Sequence, residues 1–260
     1  MVLSIISIEL AIFLFVLALF AGIGISAIGP GGIFVTIALF LFVPISSAEV
    51  AGTASATFIA TGLLAAYLYR LSGDFAVGYA RETAIILSGM SIVGAVAGSQ
   101  ANLVIPDDVF GILLAVFVAV VGGIIVYREL VGLEPRNYLD STTDLQRRAL
   151  LSVLGFGVGF LGGLLGVGGP VIMVPLLVIL GVPMLISLAV AQVQSIFIAG
   201  FATAGYWLGD AVSIPLAILV GVPQLIGVVI GWRVAHLVAE ERLRIALGVV
   251  LVVIAPAIAY

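Results

Sequence analysis

The 260-residue sequence contains no cysteine, no lysine and one histidine, His236. Without cysteine there can be no disulfide, thiol redox chemistry or thiolate metal site. A single histidine excludes a multi-histidine metal centre, and no cofactor is implied. Charge is scarce too: 8% of residues are charged, against about 25% in an average soluble domain. The net charge of −4 is spread over loops and all nine basic residues are arginine, which argues against nucleic acid as a partner. No nucleotide-binding motif is present, so any work must draw on a gradient. The first residues, Met1 to Glu9, lack a basic n-region, so the apolar run after them reads as a first transmembrane helix and not as a cleaved signal.

What remains is apolar. Hydrophobic residues make up 63% of the chain and the mean hydropathy is +1.41. Runs long enough to cross a bilayer recur along the whole length and are apolar on every face, unlike the short alternating segments of a β-barrel. The fold class is therefore an all-α polytopic membrane protein, placed in the cytoplasmic (cell) membrane.

Two glycine-rich stretches organise this chain. One is Gly22 to Gly32, G-I-G-I-S-A-I-G-P-G-G, followed by the short apolar segment Ile33 to Val43. The other is Gly159 to Pro170, G-F-L-G-G-L-L-G-V-G-G-P, followed by Val171 to Leu180. Glycine runs end helices and let backbones approach closely. In lipid, irregular backbone survives only when buried in protein or lining a wet cavity. At ~1.5 Å per residue each short segment reaches only part-way across a ~30 Å hydrocarbon core.

Around these breaks the spacing predicts helices over about 8–28, 46–70, 76–102 and up to 127, then 149–165, 183–208, 212–238 and a last one beginning at Glu240-Glu241. Residues 1–127 form a first repeat, 128–148 a polar linker and 149–260 a second repeat. The halves align in order: Gly29, Gly31 and Gly32 with Gly166, Gly168 and Gly169; Gly73-Asp74 with Gly209-Asp210; Gly94 and Gly98 with Gly227 and Gly231; Asp107-Asp108 with Glu240-Glu241. Arginine placement sets orientation. Arg70 and Arg81, the linker arginines Arg128, Arg136, Arg147 and Arg148, and Arg233, Arg242 and Arg244 belong inside. The loop holding Gly73 then lies inside and its counterpart holding Gly209 outside. The repeats are expected to be inverted, each with four long transmembrane helices and one short broken or re-entrant helix.

A short helix leaving a Gly-Gly break offers unpaired backbone N–H groups and a positive dipole end, an anion site needing no charged side chain. Matching breaks in two halves of a membrane chain point to a transporter's binding site. The expected binding groups are Gly29, Gly31, Gly32 and Ile33 at one break and Gly166, Gly168, Gly169 and Val171 at the other. Polar residues on the helices that follow are expected to add donors: Thr53 and Thr57, on one face with Thr61, and Gln192, Gln194 and Ser195. Each hydroxyl also has an ordinary alternative, a bond to the preceding helical turn. Glu49 is the candidate for proton coupling. Gln100, Asn102 and Gln224 read as polar residues near helix ends, Asp74 and Asp210 as turn residues, and Gly94, Gly98, Gly227 and Gly231 as helix-packing positions.

The second break, with Gly162-Gly163, Gly166, Gly168-Gly169 and then Pro175-Leu176, resembles the TauE/SafE family of membrane proteins. The resemblance extends over nearly the whole chain. Pro170 stands where the family often has a third glycine, and Pro30 interrupts the first copy, so each break has one donor fewer. The resemblance implies export of a small sulfur-containing anion such as sulfite, thiosulfate or an organosulfonate.

The expected function is thus a secondary transporter, an exporter, working by alternating access on a small anion held between the breaks. A coupling proton or sodium ion and a homodimer are compatible with it. The alternatives are a passive anion channel or a transporter of an unrelated small solute. An enzyme is not expected. A serine protease of the membrane needs a histidine at depth, whereas His236 lies beside an arginine-rich loop; Asp74 and Asp210 fall in loops, not in an intramembrane pair.

Overall fold

The computed structural model describes residues 6–75, 78–131 and 143–237. The helix expected from Glu240 onward, and Arg136, Arg242 and Arg244, lie outside the described residues. Among the described residues every regular element is helical: α1 (Ile8–Ala27), a 3₁₀ turn (Pro30–Gly32), α2 (Ile33–Phe42), α3 (Ser47–Leu71), α4 (Gly78–Asn102), α5 (Asp107–Val131), α6 (Asp144–Leu165), α7 (Pro170–Ile179), α8 (Met184–Leu208) and α9 (Ile214–Leu237). Seven of these helices are long and apolar enough to cross a membrane; α2 and α7, at ten residues each, are not.

Helix boundaries follow local chemistry. Ser46 caps α3 by accepting the Glu49 N–H. Asp107 opens α5 and also accepts the Ser47 N–H at 2.8 Å, so one carboxylate serves two helix N-termini. Gly73 (φ +86°) and Asp210 (φ +53°) take the left-handed conformation in the turns after α3 and α8, as expected of turn residues. Two boundaries differ from the sequence expectation by more than two residues. α6 begins at Asp144, not Ala149, because Thr143 and Gln146 form a capping box. α5 likewise continues to Val131. Both ends of the polar stretch 128–148 are therefore helical.

Hydrophobic residues face outward on all the long helices: Ile12, Phe20, Ile85, Val116, Ile218 and Ile230 are among the exposed ones. Polar residues point inward, with Thr53, Ser91, Gln192, Gln194 and Gln224 all fully buried. That is the arrangement of a membrane bundle, whose outer surface meets lipid. α3 and α8 are the most enclosed, with 61% of the apolar stretch of each buried against 28% for α1.

The packing is reciprocal between the halves. α1 packs on α9 and α4 on α6, while α3 and α8 cross at the centre. Backbone meets backbone at the outer contacts. A Cβ on Gly94 or Gly98 would stand 2.2 or 2.1 Å from the Phe156 or Phe160 carbonyl oxygen of α6. A Cβ on Gly227 or Gly231 would stand 2.1 or 2.2 Å from the Leu19 or Ile23 carbonyl oxygen of α1. These four glycines are packing positions, as expected, and nothing larger fits. Shifting the first break onto the second also brings Tyr69 onto Tyr206. Their hydroxyls donate to equivalent carbonyls, Tyr69 to Ser26 at 2.5 Å and Tyr206 to Gly163 at 2.7 Å.

Candidate functional site

The breaks are made by left-handed glycines. α1 ends where Gly29 turns to φ +106°, and its N–H still reaches the Gly24 carbonyl at 2.9 Å. The chain then tightens through the 3₁₀ turn into α2. α6 ends at Gly166 (φ +63°), Gly168 turns again (φ +75°), and α7 starts at Pro170. Within α7 the first backbone bond is Met173 N–H to Gly169 C=O at 3.0 Å, so the Val171 and Ile172 N–H groups have no intrahelical partner. Pro170 at the first position costs nothing, since its N–H would be orphaned. The breaks differ in one respect: the 3₁₀ turn at Pro30–Gly32 draws its own backbone into tighter bonding, leaving α7 as the freer N-terminus.

The two breaks lie against each other. A Cβ on Gly29 would meet the Pro170 carbonyl oxygen at 3.0 Å, and one on Gly32 the Val167 carbonyl oxygen at 3.4 Å. Thr36 on α2 donates to the Gly166 carbonyl at 2.5 Å, pinning one break to the helix that leaves the other. Gly166 packs on the Ala51 backbone of α3, where a side chain would come within 2.5 Å. Two side chains close this space. The Phe58 ring from α3 would be 2.9 Å from a Cβ on Gly32 and 3.3 Å from one on Gly168; the Ser195 hydroxyl from α8 would be 3.5 Å from the latter. The shift that lays the first break on the second also lays Phe58 on Ser195. Sequence reading overlooked Phe58 because an apolar side chain in an apolar helix carries no signal.

The polar residues fall into two groups. Thr57 donates to the Ala54 carbonyl (2.8 Å) and Thr61 to the Thr57 carbonyl (3.2 Å), the ordinary helical alternative. Thr53 accepts the Ser213 N–H at 2.9 Å and so fastens α3 to the start of α9. Gln192 donates from Nε2 to the Ile25 carbonyl at 2.9 Å, and Gln194 from Nε2 to the Ser91 hydroxyl at 2.7 Å. Each of those amides keeps a buried Oε1 without a partner. Gln224 differs from its expected place. It sits in the middle of α9, fully buried, with both amide atoms unpartnered. The adjacent Pro223 suggests a helix end, yet α9 runs through it. Asn102 does sit at a helix end, donating to the Leu164 carbonyl at 2.6 Å.

Glu49 lies half-buried in the first turn of α3, two residues before Ala51. His236 lies in the last turn of α9, its Nδ1 2.8 Å from the Trp232 carbonyl oxygen and its Nε2 3.4 Å from Asp74. Both are helix-end positions. Arg147 and Arg148 bridge to Glu82 at 3.2 and 3.0 Å, tying α6 to α4 at the arginine-rich end.

A bundle of lipid-facing helices whose centre holds two apposed glycine breaks and buried uncharged amides belongs to the class of polytopic membrane transport proteins. The sequence profile of the family described as Sulfite exporter TauE/SafE matches residues 14–258, and the chain belongs to that family. Comparison with curated proteins and with solved structures found no match. The family is one of exporters, which makes transport of a small anion across a membrane the activity class of this integral membrane protein.

Proposed function

We propose that the chain exports a small sulfur-containing anion, such as sulfite, thiosulfate or an organosulfonate, by alternating access between two inverted repeats. The anion is held where the breaks meet, near the bilayer midplane, with α2 and α7 as re-entrant helices. The observation that carries this proposal is the apposition of Gly29 and Gly32 with Pro170 and Val167, beside an α7 N-terminus whose Val171 and Ile172 N–H groups are unspent. Those donors supply partial positive charge without a fixed cation, so an anion can be stabilised and still leave. Reciprocal packing of α1 on α9 and α4 on α6 supports two equivalent bodies that rock about the α3–α8 crossing. The substrate class rests on the family; the export direction and the role of Glu49 in coupling stand with it as parts of this proposal.

The test is thermal stability and flux of purified protein with sulfite, thiosulfate, sulfoacetate and taurine. A ligand that binds only the folded state raises its melting temperature by mass action. Gly169→Ala is the variant of choice. Gly169 has right-handed φ of −66°, and an added methyl meets the flexible end of Ile198 at 3.1 Å and the Ser195 backbone of α8 at 3.4 Å, an ordinary contact. The variant should fold, place a methyl between the α7 N-terminus and α8, and lose the anion-dependent shift and flux. An unchanged response would move the site away from the break. Uptake in proteoliposomes that stops at the equilibrium distribution despite an imposed gradient would make the protein a channel.

A further inference from the structure

The two outer helix contacts are equivalent, but their polar groups are not used equally. Gly159 of α6 packs on the backbone of Ser91 in α4, with a Cβ position 2.5 Å from the Ser91 carbonyl oxygen. Gly22 of α1 packs in the same way on Gln224 of α9, at 2.2 Å. Ser91 and Gln224 thus hold matching places. On the Ser91 side the amide N–H is used: the Ser91 hydroxyl, its one hydrogen shared between the Leu87 (2.6 Å) and Gly155 (2.9 Å) carbonyls, accepts from Gln194 Nε2, and only the Gln194 Oε1 stays unpartnered. The place matching Gln194 is held by Thr57. Each side therefore has one carboxamide and one hydroxyl, with the helices that carry them exchanged.

On the Gln224 side the corresponding bond is not made. Thr57 spends its hydrogen on the Ala54 carbonyl, and Gln224 keeps Nε2 and Oε1 unpartnered with no solvent exposure. Helical phase places Gln224 between two known directions. Gly221, one turn before, faces Thr57 of α3, with its Cβ position 3.5 Å from the Thr57 methyl; Gly227, one turn after, faces Leu19 and Ile23 of α1. Gln192 reaches the same last turns of α1 from α8, through Ile25, and also keeps its Oε1 unpartnered. A buried amide with both atoms unused is costly unless something binds it.

Resting on the function proposed above, we infer that Gln224 is a substrate-contacting residue: its amide N–H groups bind oxygens of the sulfur oxyanion. The two half-sites are then unequal, with an extra donor on the α1–α9 side of the breaks. The donor is uncharged and presents two hydrogens from one nitrogen, which suits two oxygens of a sulfite or sulfonate group.

Gln224→Met tests this, because methionine keeps the length and removes the amide. Half-saturating concentrations for sulfite, thiosulfate, sulfoacetate and taurine are measured in thermal shift and flux. The expected variant is at least as heat-stable as wild type without anion, and needs about ten-fold more of the anion to which wild type responds. Gln194→Met is the comparison; it breaks the Ser91 bond and should lower the anion-free melting temperature. An unaltered half-saturating concentration in Gln224→Met overturns the inference while leaving the proposed function standing. A fall in its anion-free melting temperature like that of Gln194→Met also overturns it, since the amide would then be structural. A wild-type protein that responds to none of the four removes the function and this inference together.

Discussion

The residues that hold the centre together are two tyrosines with no charge to advertise them. Tyr69 and Tyr206 reach from α3 and α8 to carbonyls near the ends of α1 and α6, and both are fully buried. Replacing either by phenylalanine leaves a carbonyl in an apolar interior with a lost partner, a cost of about 1–3 kcal/mol. Tyr69→Phe and Tyr206→Phe should therefore each lower the detergent melting temperature, and by similar amounts. A loss confined to one of them would show that the halves are not mechanically equivalent. At this scale residue type was legible in the sequence and residue role was not. The threonines after the first break are buried as their spacing suggests, but Thr57 and Thr61 bond to their own helix and Thr53 caps α9. Spacing along one helix says which face a hydroxyl occupies. It does not say which neighbour takes its hydrogen.

At the scale of elements, glycine has two distinct uses that composition alone does not separate. Gly98 meets the Phe160 carbonyl oxygen at 2.1 Å from its Cβ position, while Gly157 on α6 has open space there. Gly98→Ala must push α4 off α6 and should markedly lower the melting temperature. Gly157→Ala touches nothing and should be neutral or stabilising by roughly 0.5–1 kcal/mol, through a stiffer unfolded chain. Equal effects from the two would remove the close-packing account. Most helix limits were legible because glycine, proline and capping residues punctuate them. Ser46 before α3 and the paired short helices after the breaks lie where the sequence places them. The start of α6 was missed because Arg147 and Arg148 look like loop residues; in the fold they sit in its first turns and bridge to Glu82.

At the scale of the whole molecule, orientation is addressed by arginine counting and not by packing. The absence of cysteine makes it directly testable. Single cysteines at Ser72, after α3, and at Val212, before α9, should react with impermeant thiol reagents from opposite sides of the membrane if the halves are inverted. Ser72 should be reached from the cytoplasm. Labelling of both from one side would make the repeats parallel and would take away the geometric basis for alternating access. The ordered matches between halves were visible in the sequence. The exchange of partners, each half's first helix lying along the third long helix of the other half, was not, since pairing across the chain leaves no periodicity to read.

That exchange has a consequence for how the protein is made. α1 packs chiefly on α9, near the far end of the described chain, and its glycine-lined face at Gly22 lies against α9. During synthesis α1 enters the membrane long before α9 exists. For that interval its face at Leu19, Gly22 and Ile23 must be covered by lipid or by the insertion machinery. Among the described helices, closure of the bundle therefore waits for α9 to lock onto α1, and a chain stopped before α9 leaves that face of α1 uncovered.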